Sequence, residues 1–209
     1  MRRNPGPGLA SLLACASLAL ALPAAAQAAP ATPAAASGTP ASAAAAQALP
    51  PYGTWISDVT AVTGTAQEYL DTRLPDPAIR AAIVLDIDNT ALETTYHPGL
   101  ISPATAPVLA LARQAEAAGA AVFFVTARPQ LLAWQTRQNL RTAGYPVTDI
   151  YLRPWFDFDP DATLKTNARI AIENRGYRIV ANVGNNVSDL QGGHADRTFK
   201  LPDYNGQLS

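Results

Sequence analysis

The chain has 209 residues, 15 Lys and Arg against 16 Asp and Glu, and a formal net charge of -1. No basic run or stripe accompanies that balance, which argues against a nucleic-acid polymer as partner. The single cysteine, Cys15, leaves no disulfide framework.

Residues 1–28 read as a secretory signal peptide. Arg2 and Arg3 give a basic start, Leu9 to Leu22 an apolar stretch, and Ala26-Gln27-Ala28 a small-x-small cleavage site. The apolar stretch is too short to span a bilayer, and no later stretch is a transmembrane candidate. Leu12-Leu13-Ala14-Cys15 loosely resembles a lipoprotein box, but apolar residues continue past Cys15, so export fits better than lipid anchoring. Cleavage after Ala28 would leave a chain without cysteine. Residues 29–50 are nearly all Ala, Pro, Ser, Thr, Gln and Gly and read as a linker. One folded domain is expected over residues 51–209.

Within it, Thr54 is expected to cap a first helix bearing Trp55, Val59, Val62, Ala66 and Tyr69 at helical spacing. That stripe either packs on a sheet or roofs a site. Ala81 to Leu85 reads as a buried parallel strand. It runs into Asp86-Ile87-Asp88-Asn89-Thr90, which puts two carboxylates at a strand's carboxyl end, where open α/β sheets bind ligands. So close together they cannot both ionise freely without a cation. A helix follows from Ser102 or Thr105 to Gly119, then a strand over Ala121 to Val125 that ends at Thr126. Pro129 is expected to open the next helix, which Gly144 closes. A third strand spans Thr148 to Leu152, and an aromatic and acidic loop runs from Trp155 to Pro160. Asp161 is expected to cap a helix carrying Lys165. A fourth strand, Tyr177 to Val183, ends in Gly184-Asn185-Asn186-Val187-Ser188-Asp189. A short strand, Arg197 to Leu201, precedes a polar tail. Strands alternating with helices predict an α/β fold: a single doubly wound, Rossmann-like parallel sheet of about five strands.

A Thr at a strand end, backed by the amides of a helix start, suits a phosphate oxygen; it also suits a simple cap. Arg128 fits either a phosphate contact or a solvated surface. Lys165 near a helix N-terminus opposes the helix dipole and so asks for a reason. His97 and His194 stand far apart, without ligand spacing.

Taken in order, Asp86-x-Asp88-x-Thr90, Thr126, Lys165 and Gly184 to Asp189 resemble the four motifs of the haloacid dehalogenase-like (HAD) superfamily. The stretches Leu85 to Leu92 and Ala195 to Pro202 resemble its secreted class B, or subfamily IIIB, acid phosphatase branch, which includes plant vegetative storage proteins. The resemblance implies that Asp86 is a nucleophile and Asp88 an acid and base. It also implies that Thr126, Arg128 and Lys165 bind a substrate phosphate. Mg²⁺ would be held by Asp86, the main-chain carbonyl of Asp88, and Asn185 or Asp189. Asn185 departs from the pattern, which has an acid there. Forty positions separate Asp86 from Thr126 and 39 separate Thr126 from Lys165, too few for a large cap domain. An open site is expected, rimmed by Tyr96 to Leu100 and Trp155 to Phe158; the aromatics would stack on a substrate or plug the core. The implied reaction is hydrolysis of a small phosphate monoester, nucleotides among the candidates. A phosphotransferase uses the same residues. A non-catalytic binding or storage protein is the alternative that Asn185 favours, and a receiver domain leaves Asp88 unexplained.

Overall fold

The computed structural model describes residues 48–74 and 76–209. The signal peptide, Cys15 and most of the linker lie outside the described residues.

β1 (Ala81–Leu85) forms on the apolar run before Asp86, and its last four residues are buried. Side chains alternate along it. Ile83 and Leu85 enter one apolar core, Ala82 and Val84 the other. β2 (Ala121–Pro129), β3 (Asp149–Arg153), β4 (Arg178–Gly184) and β5 (Arg197–Lys200) complete one parallel sheet in the order β3-β2-β1-β4-β5. The chain builds outward from β1 to β3, then crosses back to β4 on β1's other side. The reversal point lies between β1 and β4, and there a doubly wound sheet opens its crevice.

α1 (Tyr52–Arg73), α2 (Ala106–Ala117) and α3 (Ala133–Thr142) supply Trp55, Val59, Ala66, Leu70, Val108, Leu111 and Leu140 to the larger core. α4 (Asp161–Asn174) covers the opposite face with Ala168 and Ile172. The α1 stripe therefore packs inward and does not roof the site. Among the described residues no helix is long and apolar enough to cross a membrane. Only the loop 86–105 separates β1 from α2, so no large cap domain is inserted there.

Three boundaries differ from the sequence reading. Thr54 lies inside α1, whose cap is Pro51; the Pro51 carbonyl accepts the N–H groups of Thr54 (2.9 Å) and Trp55 (3.1 Å). Asp161 is the first residue of α4 rather than its cap. Its carboxylate accepts Arg153 Nη2 at 2.6 Å. Pro129 does not open a helix. Its backbone is extended (φ -65°, ψ 146°), it pairs with Arg153 of β3, and a 3₁₀ turn over Gln130–Leu132 intervenes before α3. Thr126 thus sits within a strand, without a helix dipole behind it.

Candidate active site

Asp86, Lys165 and Asp189 meet at the carboxyl ends of β1 and β4. All three are at least 95% buried. Lys165 Nζ donates to Asp86 Oδ1 at 2.9 Å and to Asp189 Oδ1. The two carboxylates share this one ammonium, because the other buried cation nearby, Arg169, donates to main-chain carbonyls and not to either carboxylate. Burial first, and then the Asp189 charge, push the Asp86 carboxyl up to about 7 against the pull of Lys165. Burial draws the Lys165 ammonium down, but the two carboxylates outweigh it, and its net displacement is upward. Lys165 is therefore firmly charged, and the strain falls on the anions.

The other half of the site is open. Asp86, Asp88, Thr94, Thr95, Thr126, Arg128, Lys165 and Asn186 line a cleft of about 330 Å³. The Asp88 side chain is 43% exposed and forms a bidentate pair with Arg128, Nε to Oδ2 at 2.9 Å and Nη2 to Oδ1 at 2.6 Å. Arg128 thus touches the second aspartate directly. Thr126 Oγ1 accepts the Arg128 N–H at 3.1 Å, which leaves its own proton for an incoming oxygen. Trp155, Phe156 and Phe158 are exposed, so they do not plug the core, and none of them lines the cleft that the sequence expected them to rim. Tyr96 turns inward and stacks on Trp55 at 4.7 Å between ring centroids. His97 pairs with the buried Glu93 at 2.7 Å and His194 with Glu173 at 2.6 Å; neither lines the cleft.

The fourth motif is held in part by residues the sequence did not single out, Arg169 and Asn182. Asn186 and Asp189 form a capping box at the start of α5 (Val187–Leu190), with the Asn186 N–H donating to Asp189 Oδ2 at 2.7 Å. Gly184 is required because a side chain there would collide with Asp189 Cβ and Oδ2. Arg169, fully buried one turn after Lys165, donates to the carbonyls of Asp189 (2.7 Å), Gly193 (2.9 Å) and Gln191. Asn182 Nδ2 also donates to Asp189 O at 2.9 Å. One signal pointed to Arg169. It falls four positions after Lys165, on a helix whose inward stripe includes Leu164, Ala168 and Ile172.

Oxygen donors around surplus buried negative charge suit a hard divalent cation. Asp86 fits this best, being both buried and on the cleft wall. Asp189 has both oxygens engaged, by Lys165 and Asn186. Asn185 is not brought to the cleft. Its Oδ1 accepts Thr90 Oγ1 at 3.2 Å, and its Nδ2 donates to Leu208 O at 2.6 Å. Among the described residues no three His, Cys, Asp or Glu side chains are grouped to hold a metal by themselves. A cation here would rely on Asp86, main-chain carbonyl, water and substrate oxygens.

Comparison with known proteins bears on the family and the fold. The chain is 38% identical over 90 residues to the stem 28 kDa glycoprotein of Glycine max, covering 41% of this chain and only 35% of that relative's length. The class C acid phosphatase of Bacillus anthracis shares the fold, with a TM-score of 0.61 at 19% identity over 74% of this chain and 80% of the other. Its tungstate-bound structure gives 0.60 at 18% identity over the same shares of the two chains. The family model of the HAD superfamily, subfamily IIIB (acid phosphatase), matches residues 100–207, more than half of the chain. That span holds Thr126, Lys165 and Asp189; Asp86 and Asp88 precede it. The chain belongs to the subfamily IIIB acid phosphatases of the HAD superfamily.

Proposed function

We propose that the protein is an exported phosphomonoesterase that works through an aspartyl-phosphate on Asp86. The observation that carries this reading is the pairing of Asp86 with Lys165 in a buried pocket that opens onto a cleft shared with Asp88, Thr126 and Arg128. Asp86 attacks phosphorus with a carboxylate oxygen as the ester P–O bond breaks. Asp88 gives its proton to the departing oxygen. It then takes a proton from water, whose oxygen attacks phosphorus. Inorganic phosphate leaves and the Asp86 carboxylate returns.

Lys165 holds Asp86 in place and balances charge. The Thr126 hydroxyl donates to a phosphoryl oxygen. Arg128 fixes the orientation of Asp88 and offers its two uncommitted N–H bonds to the phosphoryl group, so the protein acts largely by positioning and electrostatics. Bound Mg²⁺, held by Asp86 and the main-chain carbonyl of Asp88, would lower the negative charge that repels the attack.

The substrate is a small phosphate monoester with an aromatic or apolar leaving group. Trp155, Phe156, Phe158, Leu131 and Trp134 are exposed, on segments that follow β2 and β3 at the carboxyl edge of the sheet. Residues 1–28 act as the export leader and residues 29–50 as a linker.

The test is hydrolysis of a chromogenic aryl phosphate by the purified protein, with and without Mg²⁺, beside Asp86→Asn. The expected result is metal-dependent turnover that falls on the order of 10⁴-fold or more in the variant. Absence of turnover from pH 4 to 9, in protein shown to be folded, would favour the binding-protein reading.

A further inference from the structure

We infer that Asn185 and Asn89 together dock residues 201–208 against the site, and that this dock, rather than metal ligation, is the work of the amide at position 185. The inference stands apart from the phosphatase reading, because it concerns how the site is tied together and is read without turnover.

The main-chain carbonyl of Leu208 accepts two hydrogen bonds, from Asn89 Nδ2 at 2.8 Å and Asn185 Nδ2 at 2.6 Å. These donors come from the two sides of the crevice. Asn89 lies in the loop after β1 and Asn185 just beyond β4. A carbonyl oxygen has two lone pairs, and both are used here. Asn185 is fully buried and its neighbours are all committed. Thr90 Oγ1 donates to Asn185 Oδ1 and accepts the Asn185 N–H at 3.1 Å.

The docked segment is anchored elsewhere too. The Leu201 N–H donates to Gly184 O at 2.9 Å, the side chains of Leu201 and Leu208 are buried in the larger core, and Tyr204 OH donates to Asp58 Oδ2 at 2.7 Å. The other end of Asn89 matters for the cleft. Its Oδ1 accepts the Thr95 N–H at 2.8 Å and Thr94 Oγ1 at 3.3 Å, and both threonines are cleft wall. Asn89 itself is held at φ 52°, a left-handed conformation that Asn tolerates better than most residues. Leu208 O, Asn89, Thr95 and the cleft therefore form one chain of contacts.

A carboxylate at 185 would accept but not donate. It would face the Leu208 carbonyl with no proton between them, in a fully buried place, and the dock would open. Asn185 thus accounts for the missing acid of the fourth motif: the amide exchanges a negative charge for a donor to the segment beyond β5.

The test is Asn185→Asp, nearly identical in shape, read by amide hydrogen exchange in chelator without substrate. The expected result is exchange at least about tenfold faster at the Leu208 and Thr95 amides, with the amides of β1 unchanged. Turnover of an aryl phosphate under Mg²⁺ should show KM raised several-fold with kcat less affected, because Thr94 and Thr95 shift; a partly unfolded population would lower kcat and spare KM. Unchanged protection at both amides, together with tighter Mg²⁺ binding by calorimetry, would overturn the inference and restore Asn185 as a metal ligand. Should Asn185→Asp fail to fold, Leu208→Ala reads the same link from the other side. It keeps the carbonyl but removes the apolar anchor, and Thr95 protection should fall by a similar factor. Thr95 protection unaltered in Leu208→Ala would refute the dock.

Discussion

The site has a floor and a rim, and the two are built on different principles. On the floor, Asp86, Lys165, Asp189 and Arg169 are buried, and Lys165, Asp189 and Arg169 each serve several partners. On the rim, Asp88 and Arg128 hold mainly each other, and beyond the cleft wall Trp155, Phe156 and Phe158 stand in solvent on the loop after β3. A buried ionic group cannot retreat into water when its partner is lost, whereas an exposed one can. Floor residues therefore couple stability to chemistry, and rim residues separate the two.

The sharpest way to break this contrast is Lys165→Met. It leaves two buried carboxylates without their cation. Breaking a buried ionic cluster typically costs about 3–5 kcal/mol, and a loss of that size is expected at pH 8 by urea denaturation. The loss should shrink as the pH falls and Asp86 takes up its proton. A change below about 1 kcal/mol would show that the floor behaves like a surface pair.

Asp86→Asn should do the opposite to stability while abolishing turnover. The unfolded chain gives up this proton near its ordinary value of 3.8, but the folded protein keeps it until about 7. Between those values the unfolded state ionises first, so stability falls as pH rises, and it levels off above 7. Below 3.8 the group contributes nothing. In chelator, Asp86→Asn should therefore match the wild type near pH 3.5 and exceed it at pH 8, by on the order of 5 °C in Tm. Lys165 keeps Asp189 as a partner in the variant. Parallel pH–stability curves for the two proteins would remove surplus charge from the account of the floor.

The floor was legible in the sequence where side chains meet side chains. Asp86 at the end of an apolar strand follows from strand and helix order alone, as does the parallel five-stranded sheet; the place of Lys165 beside it was implied by the resemblance of the motif series, not by element order. What escaped is held by main-chain carbonyls. Arg169 looks like any helical arginine until the carbonyls of 189, 191 and 193 are placed around it. Leu208 is a lone apolar residue in a polar tail, and its carbonyl leaves no mark in the sequence. The same blindness shifted Thr126 to a helix start, because Pro129 is as suited to extended backbone as to a first helical turn.

On the rim, Arg128→Gln should leave stability within about 1 kcal/mol of wild type, since Asp88 is 43% exposed and water replaces the fork. Catalysis should suffer more, because Asp88 loses its orientation and the phosphoryl group a cation. A fall of about 10- to 100-fold in kcat/KM is expected. Arg128→Lys should rescue little, as an ammonium cannot reproduce the two-pronged contact. Full rescue by lysine would reduce the role of Arg128 to charge alone.

The smallest effect should come from the exposed aromatics after β3, and it distinguishes recognition from packing. Trp155, Phe156 and Phe158 are 60%, 88% and 89% exposed, so their loss removes little buried area, and each alanine variant should keep its Tm and stay within about 0.5 kcal/mol of wild type. Phe156 holds φ 61°, an uncommon setting for a bulky residue, so Phe156→Gly should be neutral or slightly stabilising. Stacking on a leaving group contributes about 0.5–1.5 kcal/mol, or roughly 2- to 13-fold. The ratio of kcat/KM for an aryl phosphate to that for a small alkyl phosphate should fall by that factor in Trp155→Ala or Phe158→Ala. An unchanged ratio would leave the exposed aromatics without a part in substrate choice, and a drop in Tm would count them with the packed structure.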